Sequence, residues 1–226
     1  MNSIVVIFLA FFVPVLAVLL AWLGWSTLRD NPLGWFLFVT GVVYAVGVVI
    51  VLWIRRKRFW QSQLGGRTTE EEKGDRSFWL YLPGAMAAFF IPPIEYSYLP
   101  AILPRAAGLA WAGVILVLLG CALFAWARRT LRAAYSGHLN VTTEQILVQS
   151  GPYRIVRHPA YLGYVLMSLG VCLGYSSLYG LISIPVLLLP GLVYRIRTED
   201  RLLEAHFQDQ FRAYAARTAR LIPRLW

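Results

Sequence analysis

The chain has 226 residues, of which 58% are hydrophobic and only 14% charged, and its mean hydropathy is +0.60. So apolar a balance excludes a soluble globular domain and makes the bilayer the solvent in which the sequence is to be read. The net charge of +10 would suit a nucleic-acid binder only if the cations formed a soluble face, whereas here they gather at the ends of apolar stretches.

About 20 apolar residues cross the roughly 30 Å of bilayer hydrocarbon. Ile4 to Trp25 and Leu33 to Ile54 reach that length. They are joined by STLRDNP, whose Asp-Asn-Pro run stops one helix and starts the next, so a hairpin is expected. Met1 to Ile7 carries no basic residue and no small-x-small cleavage site follows, so the first helix is expected to be retained. Phe78 to Ile94 is shorter and holds Pro83, Pro92 and Pro93, which predict a kinked or tilted span. Leu109 to Leu131 is an uninterrupted span. Tyr161 to Tyr194 is too long for one crossing and breaks at Gly174 to Ser177 (GYSS), which predicts two helices folded back on each other, the first of them short. Cys121 and Cys172 fall inside apolar helices and read as small core residues, not a disulfide. The expected fold is an all-α polytopic membrane protein of about five to six membrane helices, the last two a helix-turn-helix hairpin, followed by a C-terminal cytoplasmic helix. Residues 1–131 form the N-terminal transmembrane part and 132–226 the region that carries the chemistry.

Basic residues orient the chain. With the N-terminus inside, the inner segments hold the RRKR run from Arg55 to Arg58, Arg67, Lys73, Arg76, Arg128, Arg129, Arg132, Arg154, Arg157 and every arginine from Arg195 onward, leaving only Arg29 and Arg105 outside. Cytoplasmic loops carry the Lys/Arg excess, so both termini are expected in the cytoplasm, with attraction to anionic lipid as a secondary effect. GPYRIVRHPAYLG (Gly151 to Gly163) then enters the last hairpin from the cytoplasmic side, and YRIRTEDRLLEAHF leaves it on the same side. Tyr153, Arg157, His158 and Tyr161 on one limb are thereby expected to face Arg195, Glu199 and Asp200 on the other. Singly, each has a plain structural reading: snorkelling arginines, a tyrosine belt, a His-Pro helix start, and an Arg195–Glu199 pair at i, i+4. Ring faces, cations and a carboxylate together at the ends of one hairpin point instead to a site.

At these residues the chain resembles a family. G-P-Y-R-x-x-R-H-P-x-Y-x-G, followed some forty residues later by RIRTEDRLLEAHFQDQFRAYAARTARLIP, is similar to the isoprenylcysteine carboxyl methyltransferases and to their relatives among the phospholipid N-methyltransferases, over Gln145 to Pro223. The resemblance implies an integral-membrane enzyme that uses S-adenosylmethionine. Carried over by motif, the strand-like Gln145, Ile146, Leu147 and Val148, then Tyr153, then His158, Pro159, Ala160 and Tyr161 line the donor pocket. Glu199 contacts the same cofactor, Arg195 faces the methyl acceptor, and Arg157 joins Arg195 as a candidate catalytic cation. Three positions depart from the family pattern: Gln145, Asp200 and Gln208 stand where His, Glu and Gly are common.

Such residue types suit the donor, a sulfonium with a carboxylate, an ammonium and ribose hydroxyls: ring faces favour the cation, His or Arg pairs the carboxylate, and Glu199 accepts from ribose or ammonium. No metal is called for. Methyl transfer is an in-line displacement, to which a protein contributes mainly proximity and orientation. A carboxylate acceptor needs no general base, whereas an amine or thiol would need His158, Glu199 or a lipid phosphate. A soluble donor and a lipidic or isoprenoid acceptor place the site at the cytoplasmic membrane face, with membrane lipids as partners and no nucleic acid. The alternatives are a phospholipid N-methyltransferase sharing the donor site, a sterol-type reductase using a nicotinamide cofactor, and a channel or transporter. The last expects ionisable residues inside the spans, which are almost free of them apart from Glu95.

Overall fold

The computed structural model describes residues 15, 18–43, 45–47, 77–131, 147–223 and 226. The beginning of the first expected span, the end of the second, the loop from Gln61, and Gln145 and Ile146 lie outside these residues. The chain divides into two compact units, Met1–Asp75 with Pro93–Pro100, and Arg76–Pro92 with Ala101–Trp226.

In the first unit, α1 (Val18–Thr27) and α2 (Leu33–Gly47) form the expected hairpin. Asn31 turns it: its Oδ1 accepts from the Leu33 amide at 2.9 Å, satisfying a donor at the start of α2. Leu23, Leu33 and Leu37 are buried in the hairpin. The Tyr96 hydroxyl donates to the Asp30 carbonyl at 3.2 Å.

The second unit carries the rest: the start of α3 (Ser77–Tyr98), α4 (Ala107–Leu131), a 3-10 turn (Gly151–Arg154), α5 (Pro159–Gly174), α6 (Leu178–Ser183), a π-helical turn (Ile184–Leu188) and α7 (Leu189–Arg217). Two of the described helices are long and apolar enough to cross a membrane, Ala107–Leu131 and the continuous Leu178–Arg217. Trp111, Ile115, Leu118 and Leu119 of α4 are exposed, an apolar face that water would not tolerate and lipid would. Among the described residues the only non-helical pairing is one parallel bridge between Val156 and Ala219.

α4 and α5 run antiparallel with their backbones in contact. Glycines at a seven-residue spacing on each helix allow it: a Cβ on Gly120 would stand 2.6 Å from the Gly163 carbonyl, and one on Gly170 would stand 2.7 Å from the Gly113 carbonyl. Close approach through small residues is how helices associate where no hydrophobic effect drives them together. The break expected at GYSS is present. α5 ends at Gly174, Ser176 adopts φ 51°, and Ser177 caps α6 by accepting from the Gly180 amide. Pro185 lacks the N–H a regular helix would use, and the chain widens into a π turn in which the Leu189 amide bonds the Ile184 carbonyl. Ala85, Ala88, Cys172, Ile184 and Leu188 pack together beneath this turn.

Candidate active site at the base of the helical hairpin

Gly151 begins the site with φ +57°, a left-handed turn in which an added Cβ would meet the Thr130 hydroxyl at 2.8 Å. Pro152 then starts the 3-10 turn that buries Tyr153. Residues 155–158 run parallel to 219–220: the Arg157 amide donates to the Ala219 carbonyl (2.8 Å), the His158 amide to the Arg220 carbonyl (3.1 Å), and the Ala219 amide to the Ile155 carbonyl (3.2 Å). Tyr214 adds its hydroxyl to the Tyr153 carbonyl at 2.8 Å. The C-terminal segment is therefore a strut for the VRHP loop, and His158 sits at the N-cap of α5 with Pro159 at its first position.

From that loop the side chains converge on α7. His158, buried to 3% exposure, places Nε2 2.8 Å from Asp200 Oδ1 and Nδ1 3.8 Å from Glu199 Oε2. An ionised carboxylate only accepts, so the Nε2–H donates to Asp200 and the Nδ1 side is turned toward Glu199. One turn along α5, the Tyr161 ring stacks on His158 (5.7 Å between centroids, 25° between planes). Its hydroxyl donates to Glu199 Oε2 at 3.0 Å and accepts from Arg195 Nε at 2.7 Å. The buried Arg195 guanidinium also lies over the Tyr81 ring at 5.6 Å. Instead of meeting only as neighbours on one helix, Arg195 and Glu199 are joined through a tyrosine of the facing helix. Glu199 keeps 33% of its side chain exposed and is thus reachable from outside.

Asp200 ties the second layer. Its Oδ2 accepts from Arg220 Nε at 2.9 Å and lies 3.7 Å from Arg157 Nη2. Burial pushes this carboxyl upward, but the His158 and Arg220 hydrogen bonds and the Arg157 charge outweigh it and hold the group below the ordinary carboxylate range. Arg157 is turned away from Tyr161. Its Nη1 donates to the carbonyls of Ala215 (2.8 Å) and Thr218 (2.6 Å), and burial lowers its pKa from the usual guanidinium value, opposed by Asp200.

The hairpin thus brings together His158, Tyr161, Arg195 and Glu199 from the sequence-predicted set. Leu147 and Val148 are half-buried irregular chain, not strand. Tyr153 is buried, Pro159 and Ala160 shape the start of α5, and Arg157 serves the C-terminal strut. Asp200, expected on the same limb as Arg195 and Glu199, meets His158, while Arg220, Tyr214 and Tyr81 support the site without having been singled out as site residues. Tyr214 lies within the C-terminal run that carries the resemblance, whereas a bridge from residue 219 back to 156 leaves no periodic trace in the sequence.

Residues 109–210 match the family described as phospholipid methyltransferase. The chain is 37% identical to the cobalt-zinc-cadmium resistance protein CzcN of Cupriavidus metallidurans over 120 residues, 51% of this chain and 52% of that protein. It is 27% identical to protein-S-isoprenylcysteine O-methyltransferase B of Arabidopsis thaliana over 113 residues, 49% of this chain and 57% of that one. The matches thus span about half the length of these curated relatives. The whole chain superposes on 88% of a solved eukaryotic intramembrane Ras methyltransferase, the isoprenylcysteine carboxyl methyltransferase ICMT, with a TM-score of 0.53 at 18% identity, so the fold is shared. Family match, curated relative and solved fold carry the same resemblance as the paired motifs, to the isoprenylcysteine carboxyl methyltransferases and the phospholipid methyltransferases, and the chain shares the helical fold of the solved membrane enzyme.

Proposed function

We propose that the protein is an S-adenosylmethionine-dependent methyltransferase acting on a lipidic or isoprenoid acceptor at the cytoplasmic membrane face. One observation carries the reading: the Tyr161 hydroxyl joins Arg195 to Glu199 beneath the His158 ring, at the positions where the family motif places donor and acceptor. The donor set fits the cofactor. A partly exposed carboxylate and two stacked rings suit a molecule with a sulfonium, an ammonium and ribose hydroxyls. Leu147, Val148, Tyr153, His158, Tyr161 and Glu199 would hold it, with Gln145 and Ile146 completing the motif. When bound, the cofactor supplies an electrophilic methyl group on sulfur.

What the chain itself does is orient. Arg195, buried and fixed by Tyr161 and the Tyr81 ring, presents a planar cation to an anionic acceptor group, and the tyrosine fixes Glu199 relative to it. For a carboxylate acceptor such as an isoprenylcysteine, no proton need be removed. The match to the phospholipid methyltransferase family favours a second reading, in which the acceptor is a headgroup amine. His158 then has a role, since Nε2–H is committed to Asp200 and Nδ1 is left on the Glu199 side to take a proton.

Calorimetric titration of the detergent-solubilised chain with S-adenosylmethionine, its demethylated product and NADPH tests the proposal. Micromolar-range binding of the first two is expected, on the order of −8 kcal/mol; binding of NADPH alone would move the assignment to a reductase. A labelled-methyl screen over membrane-lipid extracts then identifies the acceptor class.

A further inference from the structure

Helix α7 presents two chemical faces. Arg195 and Glu199 look toward Tyr161, whereas Arg197, Asp200, Arg201 and Glu204, at i, i+3, i+4 and i+7, line a different face. There the helix bends back on itself at Gln208, so that Phe211, Arg212, Ala215 and Ala216 form an opposite wall, closed by Arg157 and Arg220. The cleft has a volume of about 560 Å³. Of the candidate methyl-transfer residues only Arg157 lines it.

Five guanidinium groups face two carboxylates in this cleft, and both carboxylates are engaged. Asp200 is held by His158, Arg220 and Arg157, and Glu204 by Arg212, which also reaches Asp209. Arg197 and Arg201 have no acceptor among the described residues. Arg157, whose side chain is 9% exposed, has a buried Nε–H with no hydrogen-bond partner. An excess of like charge in one concavity repels itself and draws in a counter-anion. Unsatisfied planar forks favour an oxyanion that accepts several N–H bonds at once, and a phosphate group does so at any of its faces.

We infer that the arginine-lined cleft between the two arms of α7 is a binding site for a phosphate group, distinct from the methyl-donor pocket and sharing with it only the Arg157–Asp200 wall. A membrane phospholipid headgroup and a soluble phosphorylated molecule both carry that chemistry. Occupation would bring an anion against Arg157 and Arg220, the two arginines that hold Asp200, and so bear on the support of His158.

The full chain in neutral detergent is titrated with inorganic phosphate while its melting temperature is followed. Separately, it is reconstituted in nanodiscs of phosphatidylcholine with and without phosphatidic acid, and lipid retained after gentle detergent extraction is counted by native mass spectrometry. The test variants are Arg197→Gln with Arg201→Gln and, independently, the exposed Arg212→Gln. Arg128→Gln with Arg129→Gln removes two charges outside the cleft as a control. A saturable response is expected, weakened about tenfold or more in the first double variant and little changed in the control. Response to phosphatidic acid alone assigns the site to a lipid headgroup, and response to free phosphate alone assigns it to a soluble ligand. Three results would overturn the inference: saturation by neither probe, undiminished binding in both cleft variants, or equal losses in the control pair, which would mean diffuse surface charge.

Discussion

At the scale of single residues, the Tyr161 hydroxyl is the hinge of the site, because it is at once acceptor for Arg195 and donor to Glu199. Tyr161→Phe keeps the ring stacked on His158 but leaves the buried Arg195 Nε–H without this acceptor. A loss of roughly 1 to 3 kcal/mol of stability is expected, the cost of unpairing a buried polar group, together with weaker donor binding and slower methyl transfer. Glu199→Gln separates these effects. It removes a charge at a one-third exposed side chain, so melting temperature should hardly move while donor affinity falls by roughly 1.5 to 3 kcal/mol, the worth of a hydrogen bond to a charged group. Arg195→Ala should leave donor affinity within about threefold and lower turnover if, as proposed, that side chain orients the acceptor. Wild-type donor binding and methyl transfer in all three variants would show that the triad serves packing alone. Asp200 answers to pH. Its folded pKa is lowered, so the stability it contributes is fully present above the ordinary carboxylate range and is lost as pH falls through the depressed folded value. Melting curves of wild type and Asp200→Asn should therefore converge toward acid, the wild type losing its advantage there, and a constant difference across that range would contradict the assignment.

At the scale of elements, backbone geometry decides more than side-chain choice. Gln208 holds φ 45° and ψ −117° at the bend of α7, a conformation open to glycine and strained for any residue with a Cβ. The strain costs of order 1 to 3 kcal/mol, whereas placing glycine there costs about 0.5 to 1 kcal/mol in chain entropy. Relief should win, and Gln208→Gly is expected to raise the melting temperature; a fall would show that the glutamine side chain compensates. Packing of α4 on α5 has the opposite sensitivity. Gly163→Leu must push the Gly120 backbone away, at a cost of about 1 to 3 kcal/mol or more, and should weaken donor binding as well, since His158 and Tyr161 lie within one or two turns of the displaced glycine. Gly108→Leu, with nothing within 4 Å of its Cβ, is the matched control. These elements were partly legible in the sequence. The Asp-Asn-Pro turn, the uninterrupted fourth span and the GYSS break all appear where hydropathy and turn residues put them, because such signals are local. The bend at Gln208 was visible only as a departure from a family glycine. The strut from 219 to 156, and the arginines it brings to Asp200, rest on contacts between segments about sixty residues apart that follow no period.

At the scale of the whole molecule, the site is useful only if both of its limbs open on the side where a water-soluble donor is found. α4 fixes this relation. Its 25 residues span about 37 Å at 1.5 Å per residue, enough to cross roughly 30 Å of hydrocarbon, so Ala106 before it and Ser150 beyond it are expected on opposite faces. α5 and the long helix from Leu178 form a hairpin that returns the chain to the face it left, which places Ser150 and Gln210 together. Arginine density sets the expectation for that face. Arg128, Arg129, Arg154, Arg157 and the arginines from Arg195 onward are expected on the Ser150 side, against Arg105 on the other, and an excess so one-sided predicts that the Ser150 side is cytoplasmic. In a Cys121→Ser, Cys172→Ser background, single cysteines at the exposed positions Ala106, Ser150 and Gln210 report it directly. An impermeant maleimide added to sealed inside-out vesicles should label Ser150→Cys and Gln210→Cys, and added to right-side-out vesicles it should label Ala106→Cys. Labelling of Ser150→Cys and Gln210→Cys from opposite sides would break the hairpin that assembles His158, Tyr161, Arg195 and Glu199. Labelling of both from outside would keep the site but put it beyond the reach of a cytosolic methyl donor, and the proposed reaction would fall with it.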